Sequence, residues 1–269
     1  MPLPAPATDR ACLVTGASSG IGADIARELT RRGHQTVLVA RSEESLRSLA
    51  DEIGTPEVPA HVLSTDLSDR SARAALLDRI ADLGLVVDVL VNNAGYSTLG
   101  PVVEADTDDE MTMLEVDVVA VQDLCTRFVP GMVECGRGAV LNVASTAAFQ
   151  PLPGQANYAA AKAYVLSYSL SLAGELSGTG VTATCLCPGP VHTGFADRAG
   201  FDPDDFDSSL PGVMWVTSPE VAKCGVDALA KGRLYAIPGV ANQVGARLSQ
   251  LAPRSVLVQI LRRMHPALR

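Results

Sequence analysis

Seven short apolar runs, separated by longer segments with helical periodicity, constrain the fold of this 269-residue chain more than any other feature. The runs predict strands at residues 11–15, 35–40, 60–65, 88–92, 138–144, 181–187 and 234–237. Alternating strands and helices form right-handed crossovers, which give a parallel sheet with helices on both faces. The sequence therefore predicts a single α/β domain with a doubly wound parallel sheet of about seven strands.

One helical segment can be placed by its cap and its apolar face. Ser68, between the third and fourth runs, is a suitable N-cap residue. The apolar positions that follow share one face of a helix: Ala72, Leu76, Ile80 and Leu83. We therefore expect a helix that is capped by Ser68 and packs this face against the sheet.

Composition narrows the class of protein. Hydrophobic residues make up 47% of the chain and aromatic residues only 4%, which is typical of aliphatic helices packed on a parallel sheet. No apolar run approaches the roughly 20 residues of a membrane span, and the N-terminal segment lacks the features of a secretory signal. The six cysteines form no CxxC pair. We therefore expect reduced thiols, no metal site and a cytoplasmic protein.

Charge is distributed unevenly along the chain. All 30 acidic residues lie at or before Asp227, whereas seven of the 21 basic residues follow it. A strongly acidic body repels nucleic acid. The basic tail has no aromatic side chain after Tyr235 on which bases could stack. We therefore predict no nucleic-acid partner.

A glycine-rich turn joins the first predicted strand to the first helix. Glycines let the backbone approach a pyrophosphate, and the N–H groups and dipole of the helix attract its negative charge. No Gly-Lys-Ser/Thr sequence follows, so the turn is not of the NTPase kind. The alternative is a tight turn with a purely structural role. We assign cofactor-binding positions to the residues of this turn: Gly16, Ser18, Ser19, Gly20, Ile21 and Gly22.

The end of the second strand indicates which dinucleotide is bound. A site selective for NAD(H) usually offers an acid here to the adenosine ribose, but Ala40 is followed by Arg41. Arg41, with Ser18, is suited to hold a 2′-phosphate through charge-assisted hydrogen bonds. NADP(H) is therefore the preferred cofactor and NAD(H) the second choice. The alternative is that Arg41 is merely solvated beside Glu43 and Glu44.

Further motifs carry a family resemblance. Besides the turn, the sequence contains Asp66-Leu67, Asn93-Ala94-Gly95, a serine thirteen residues before the tyrosine of a Tyr-x-x-x-Lys motif, and Pro188-Gly189 followed by Thr193. In order and spacing these motifs resemble the compact branch of the short-chain dehydrogenase/reductase family over about residues 11–240. The resemblance implies a Rossmann-type fold and an NAD(P)-dependent oxidoreductase acting on CH–OH groups.

The resemblance also implies roles for individual residues. Asp66 is expected to contact the adenine amino group with support from the backbone of Leu67, and Asn93, Ala94 and Gly95 to brace the sheet and line the adenosine ribose. The nicotinamide carboxamide is expected to be held by Pro188, Gly189, Val191 and Thr193. The catalytic residues of the family fall on Ser145, Tyr158 and Lys162, of which Tyr158 and Lys162 are also expected to contact the cofactor.

The spacing of Tyr158 and Lys162 makes chemical sense without the family. Residues at i and i+4 share one face of a helix. A neighbouring ammonium stabilises a phenolate and so lowers the tyrosine pKa toward the working range of a general acid/base, while Ser145 can hold the substrate oxygen. Singly, each residue type is more often structural. Together, their spacing favours catalysis.

One position departs from the family pattern. Where many relatives have an asparagine that joins the lysine to a water chain, this sequence has Asp117. An ionised carboxylate here would pair with Lys162, raise the lysine pKa and alter how Tyr158 is tuned. We therefore include Asp117 among the candidate catalytic residues. The alternative is a shifted alignment in which Asp117 is solvated.

Three further segments complete the predicted organisation: a flexible tail at 1–10, a substrate lid near 194–217, and a basic amphipathic helical extension at 241–269. Aromatic residues in the lid favour an apolar pocket, with a small satellite core as the alternative: Phe195, Phe201, Phe206 and Trp215. In the extension, Val244, Leu248 and Leu251 fit one helical face. Packing over the lid or against a partner subunit is favoured over contact with an anionic membrane surface.

The predicted activity is hydride transfer between NADP(H) and a small carbonyl or alcohol substrate. The rival is a nonenzymatic NADP(H)-binding sensor or scaffold of the same fold. Ser145, Tyr158 and Lys162 argue against it, and Asp117 is the one feature in its favour. By resemblance, we also expect a homodimer or homotetramer formed through helices at 109–133 and 156–176.

Overall fold

Seven parallel strands form one sheet in the computed structural model, which describes residues 3–194 and 211–264. The strands are β1 (Arg10–Thr15), β2 (Thr36–Val39), β3 (Ala60–Val62), β4 (Val86–Asn92), β5 (Gly138–Val143), β6 (Val181–Leu186) and β7 (Tyr235–Ala236). Their spatial order is β3-β2-β1-β4-β5-β6-β7, and every neighbouring pair is parallel. The predicted α/β class and parallel sheet are confirmed.

In the described part of the chain, helices lie between the strands in sequence and after the last strand. They are α1 (Gly20–Arg31), α2 (Glu43–Ile53), α3 (Arg70–Ala81), α4 (Thr107–Leu114), α5 (Ala120–Glu134), α6 (Ala156–Glu175), α7 (Ser218–Ala230), α8 (Val240–Leu251) and α9 (Arg254–Met264). A single wider π-helical segment, Glu115–Val119, joins α4 to α5.

Alternating side chains of the strands divide the core into two clusters. Cys12 and Val14 of β1 belong to a cluster that includes residues of α1, α2 and α7. Leu13, between them, belongs to a second cluster with residues of α3, α5 and α6. Because successive strand residues point to opposite faces, the two clusters lie on opposite faces of the sheet. Helices therefore cover both faces.

The order of the strands determines where a cleft can form. From β1 the chain proceeds to β2 and β3 on one side, and then returns to β4 on the other side of β1. Loops that leave the carboxyl ends of β1 and β4 therefore diverge and leave a crevice between them. In open α/β sheets this switch point is the usual place for ligands.

Two expectations for α3 are wrong. The N-cap is Asp69, whose carboxylate accepts hydrogen bonds from the N–H groups of Ser71 and Ala72, whereas the Ser68 hydroxyl donates to Asp66. Leu83 is 41% exposed because α3 ends at Ala81. Both errors have one cause: the first and last residues of the helix differ slightly from the ends of the apolar pattern in the sequence.

The tail contains helices α8 and α9, but the predicted apolar face of α8 does not pack on the body. Val244, Leu248 and Leu251 are exposed, whereas Asn242 and Ser249 are buried. The amide of Asn242 donates to the carbonyl oxygens of Met214 and Pro238 at 2.9 and 3.0 Å. The helix therefore faces the body with its polar and small residues, which satisfy backbone carbonyl groups there.

All six cysteines are unpaired thiols. Within residues 3–194 and 211–264, no helix combines the length and apolarity that a membrane span needs. The described side chains also include no group of three or more His, Cys, Asp or Glu residues arranged to hold a metal ion.

Candidate active site

A cleft of about 990 Å³ lies at the switch point between β1 and β4. Most predicted site residues line it: Gly16, Ser18, Ser19, Gly20, Ile21, Arg41, Asp66, Leu67, Asn93, Ala94, Gly95, Ser145, Tyr158, Lys162, Pro188, Gly189, Val191 and Thr193. Gly22 and Asp117 do not line the cleft, because both are buried behind its wall. The structure therefore brings residues from across the sequence to one place.

The glycine-rich turn has a backbone that only glycine accommodates well. Gly16 and Gly20 have φ of +65° and +57°, in the left-handed region that other residues rarely adopt. A Cβ on Gly16 would lie 2.8 Å from Ala94 Cα, and one on Gly22 would overlap the carbonyl oxygen of Gly16. The glycines thus let β1, α1 and the segment after β4 approach one another, and leave the start of α1 free of side-chain bulk.

The segment after β4 is held to the end of β1 by hydrogen bonds. The Thr15 hydroxyl accepts from the backbone N–H groups of Asn93 and Ala94 at 3.0 and 3.1 Å. The Asn93 amide donates to the Thr15 carbonyl oxygen at 3.0 Å. Residues predicted to brace the sheet thus connect the two strands between which the cleft opens.

Arg41 and Asp66 lie together on another wall of the cleft. Asp66 Oδ1 accepts hydrogen bonds from the backbone N–H and the hydroxyl of Ser68, and these bonds, with the nearby Arg41 charge, lower the Asp66 pKa. Glu43, a predicted neighbour of Arg41, instead pairs with Arg47 at 2.5 Å. Arg41 is exposed on the cleft wall, in a position to meet an anionic ligand.

Ser145, Tyr158 and Lys162 meet although they come from two elements. Ser145 follows the end of β5, and its hydroxyl accepts from the N–H of Ala147 at 3.1 Å. Tyr158 and Lys162 lie on one buried face of α6, with Lys162 Nζ 5.6 Å from the centre of the Tyr158 ring. A hydrogen bond joins the Tyr158 and Ser145 side chains. The two hydroxyls and the ammonium therefore form one group.

Asp117 contacts Lys162 directly. Its Oδ2 lies 2.8 Å from Lys162 Nζ, and its Oδ1 accepts from the backbone N–H of Tyr96 at 3.0 Å. The carboxylate is fully buried, in the π-helical segment. A Cβ on Gly95 would lie 2.8 Å from Asp117 Oδ2 and 3.0 Å from Lys162 Nζ. The predicted pairing is present, and Gly95 leaves room for it.

The pKa values of this group are coupled. Burial acts to lower the pKa of Lys162, but the charge of Asp117, the charge of Tyr158 and the hydrogen bond to Asp117 together outweigh it, so the pKa is raised. Burial also raises the pKa of Asp117. For Tyr158, burial raises the pKa more than Lys162 and Ser145 lower it, and Asp117 raises it further. Lys162 lowers the Tyr158 pKa as predicted, but the net direction at Tyr158 is opposite to the prediction because burial is the largest effect.

Several lining residues were not identified from the sequence. Tyr96, Leu152 and Gln155 line the cleft near Tyr158, and Leu261 of α9 reaches it from the tail. Nη1 of the Arg254 side chain donates to the carbonyl oxygen of Phe149, which lies four residues after Ser145, at 3.0 Å. A contact between residues so far apart in sequence leaves no local pattern, so no signal for it was available.

The lid can be described only at its two ends. Phe195, Phe201 and Phe206 lie outside the described residues. Trp215 stacks on His192, with ring centres 4.0 Å apart and planes within 10°. Val191 and Val216 form a parallel bridge. These contacts bring the two ends of the predicted lid together beside the cleft.

Comparison with known proteins places this site in context. The sequence model of the family described as short chain dehydrogenase matches residues 10–202. A short chain dehydrogenase of Pseudocercospora fijiensis is 38% identical over 68% of the chain and 60% of its own length. The NADP-dependent 3-hydroxy acid dehydrogenase YdfG of Salmonella typhi is also 38% identical, over 72% of the chain and 77% of its own length.

A solved structure is similar over most of the chain. It is a short-chain dehydrogenase from Sphingobium yanoikuyae in complex with NADPH, with a TM-score of 0.78 and 32% identity. The similarity covers 90% of this chain and 94% of that protein.

Proposed function

The chain belongs to the short-chain dehydrogenase/reductase family and is an oxidoreductase, and from this premise we propose that it transfers a hydride between NADP(H) and a carbonyl or secondary alcohol carbon. One observation carries the proposal. A single cleft is lined both by a glycine-rich helix N-terminus and by the Ser145, Tyr158 and Lys162 group. The first suits a dinucleotide and the second suits proton transfer.

The residues present fit NADP(H). The positive φ of Gly16 and the close packing at Gly22 leave backbone, not side chains, facing the start of α1. No acidic residue occupies the first turn of α1, so nothing there repels a pyrophosphate. Arg41, with Ser18, would hold the 2′-phosphate. The NADPH complex of the Sphingobium structure and the NADP dependence named for the Salmonella relative support this choice.

The remaining cofactor contacts are proposed from position. Asp66 and Leu67 would hold the adenine, and Asn93, Ala94 and Gly95 would line the adenosine ribose. The nicotinamide would be held by four residues after β6: Pro188, Gly189, Val191 and Thr193. All of these residues line the cleft.

The chemistry divides between cofactor and chain. When bound, the nicotinamide supplies the hydride donor or acceptor. In reduction, Tyr158 Oη donates its proton to the carbonyl oxygen as negative charge develops there, and Ser145 Oγ donates a hydrogen bond to the same oxygen. The Lys162 ammonium stabilises the resulting phenolate. In oxidation, the phenolate takes the proton back from the alcohol.

The substrate is proposed to be apolar. Leu152, Val116 and Leu261 line the described part of the cleft near the catalytic group, and apolar surface of this kind binds apolar substrate atoms. The predicted lid at 194–217 would complete the pocket.

A panel of ketones and aldehydes tests the proposed activity. NADPH consumption should be matched one for one by alcohol formation, and apolar ketones should react faster than carboxylate-bearing ones of similar size. If the protein binds NADPH but reduces no member of a broad panel, the nonenzymatic sensor or scaffold becomes the better interpretation. The assembled Ser145, Tyr158 and Lys162 group supports the enzyme.

Three sequence predictions stay predictions: a cytoplasmic location, a homodimer or homotetramer, and the division into a tail at 1–10, a catalytic domain at 11–240 and an extension at 241–269. The oligomer is supported by apolar side chains exposed on α4 and α6, which are Met111, Tyr164 and Leu170. Contact of the extension with an anionic membrane surface remains the less favoured alternative.

A further inference from the structure

Two arginines of α3 hold the loop that follows β3. Arg79 Nη1 donates to the Ser64 carbonyl oxygen at 3.2 Å and to the Thr65 hydroxyl at 3.0 Å. Arg73 Nη1 donates to the Leu67 carbonyl oxygen. Thr65 and Leu67 line the cleft on either side of Asp66. Both arginines therefore hold the wall proposed to bind the adenine, which we call the adenosine wall (residues 64–68).

Of these two arginines, only Arg73 also forms ion pairs with described residues, and these pairs lead to the π-helical segment and to α5. Arg73 Nη2 lies 3.2 Å from Glu115 Oε2, and its Nε lies 3.1 Å from Asp123 Oδ2. Glu115 is the first residue of the π-helical segment in which Asp117 contacts Lys162. Val116, between them, lines the cleft. Arg73 thus connects the adenosine wall to the segment that carries the partner of the catalytic lysine.

The burial of Arg73 is unusual and is explained by these contacts. Its side chain is only 2% exposed, and arginine is rarely buried unless it is paired. The guanidinium is planar and presents its N–H groups in a rigid fork. Three acceptors from three segments therefore have fixed positions relative to one another. π-Helical turns are also frequent at functional sites, where they aim a particular side chain.

We propose that Arg73 is a positioning residue that sets the adenosine wall and the Asp117 segment in one fixed relation, so that cofactor affinity and the tuning of Tyr158 both depend on it. Arg73 acts only through other residues: through Leu67 on the cofactor and through Glu115 on Asp117 and Lys162. The part of the inference that concerns the tuning of Tyr158 rests on the proposed function. The part that concerns the adenosine wall involves binding alone.

Four variants separate the two connections. Arg73→Met removes both, and Arg79→Met removes only contacts to the adenosine wall. Glu115→Gln weakens only the connection to the Asp117 segment. Asp123→Asn is its matched control, because it also removes one carboxylate paired with Arg73 but lies in α5, outside the π-helical segment.

Two readouts are measured for each variant. Affinity for 2′,5′-ADP reports on the adenosine wall and needs no turnover, whereas the midpoint of the pH profile for alcohol oxidation reports on Tyr158. Arg73→Met should weaken 2′,5′-ADP binding about tenfold, the effect of one hydrogen bond, and should also move the midpoint. Arg79→Met should change only the affinity. Glu115→Gln should move the midpoint more than Asp123→Asn does.

The proposal is overturned if folded Arg73→Met binds 2′,5′-ADP as the wild type does, or if it matches Arg79→Met in both readouts. Should Arg73→Met not fold, Arg73→Lys replaces it, since lysine keeps the charge but not the fork. An intermediate affinity supports the positioning role, and wild-type affinity contradicts it. A chain that shows the expected 2′,5′-ADP pattern but transfers no hydride would contradict the proposed function, not the role of Arg73 in the adenosine wall.

Discussion

Asp117 gives the proposed catalytic group, which is Ser145, Tyr158 and Lys162, a second buried charge. Its carboxylate raises the pKa of both Lys162 and Tyr158. The alcohol-oxidising reaction needs Tyr158 deprotonated, so its rate rises with pH through the Tyr158 pKa. Asp117→Asn removes the negative charge and lowers that pKa. We therefore predict that the midpoint of the pH profile for alcohol oxidation moves to lower pH.

The control for this prediction is Asp109→Asn. Asp109 lines the same cleft but is exposed and is not among the groups that shift the Tyr158 pKa, so its midpoint should stay with the wild type. An unchanged midpoint in Asp117→Asn would remove Asp117 from the tuning of Tyr158.

Arg41 decides cofactor preference in this account. Replacing it with alanine removes the charge-assisted contact to the 2′-phosphate and leaves the ribose hydroxyls unaffected. Such a contact contributes roughly 1.5–3 kcal/mol, so the preference for NADPH over NADH should fall about tenfold to a hundredfold. The measurement is the ratio of the two Kd values at one ionic strength. Arg47→Ala, which removes a nearby arginine paired with Glu43, should leave the ratio unchanged.

Sequence spacing predicted that Tyr158 and Lys162 lie together, but it did not predict the electrostatics of the group they form with Ser145. The i, i+4 relation of Tyr158 and Lys162 follows from helix geometry, and the helix is present. The rise in the Tyr158 pKa depends mainly on burial, which is set by residues from many parts of the chain. Arg73 was not identified for the same reason, because its acceptors lie on three separate segments.

At the scale of the element, the glycine-rich turn depends on close packing more than on flexibility. A Cβ at Gly22 would overlap Gly16 O and Asn93 Nδ2, so Gly22→Ala should displace the turn and weaken NADPH binding at least tenfold. Gly131→Ala is the matched control, because Gly131 also lies in a helix but has open space around it. That control should bind normally and be more stable by about 0.5–1 kcal/mol. Equal NADPH affinity in both variants would contradict the close-approach argument.

Helix ends were harder to predict than helices. Apolar periodicity gave the buried Leu76 and Ile80 of α3, because it reports the face that packs. It could not distinguish Ser68 from Asp69 as the cap, since both side chains can accept from backbone N–H groups. Ser68 instead donates to Asp66, because the conformation of the adenosine wall brings the two side chains together.

At the scale of the whole molecule, the alternation of strands and helices was sufficient to predict the parallel sheet with helices on both faces, whereas the switch point follows from the strand order seen in the structure. The tail was predicted less well, because the face of α8 that packs carries Asn242, Ala246 and Ser249, not its large apolar residues. Amphipathic periodicity identifies an apolar face but does not say what that face contacts. In the described part of the chain, the apolar face of α8 is exposed.

The end of the tail should affect substrate choice more than cofactor binding. Leu261 lines the cleft, and Arg254 is bonded to the Phe149 carbonyl oxygen. Asn242 packs against Gly189, which is a proposed nicotinamide-binding position, so the deletion should leave α8 in place. Deleting residues 254–269 should therefore change relative kcat/KM values across a ketone panel, with the NADPH Kd within about twofold of the wild type. A loss of NADPH binding would show that α9 supports the whole cleft.

Transfer of deuterium from NADPH that carries deuterium at both positions of its reactive carbon is the most direct test of the central claim, which is hydride transfer with Tyr158 as the proton donor. The wild type should place the deuterium on the carbinol carbon of the alcohol product. Tyr158→Phe should bind NADPH with nearly wild-type affinity but lose at least about a hundredfold in turnover, because general acid catalysis contributes roughly 10²–10⁴-fold. A product without deuterium, or comparable turnover in the two proteins, would contradict the account.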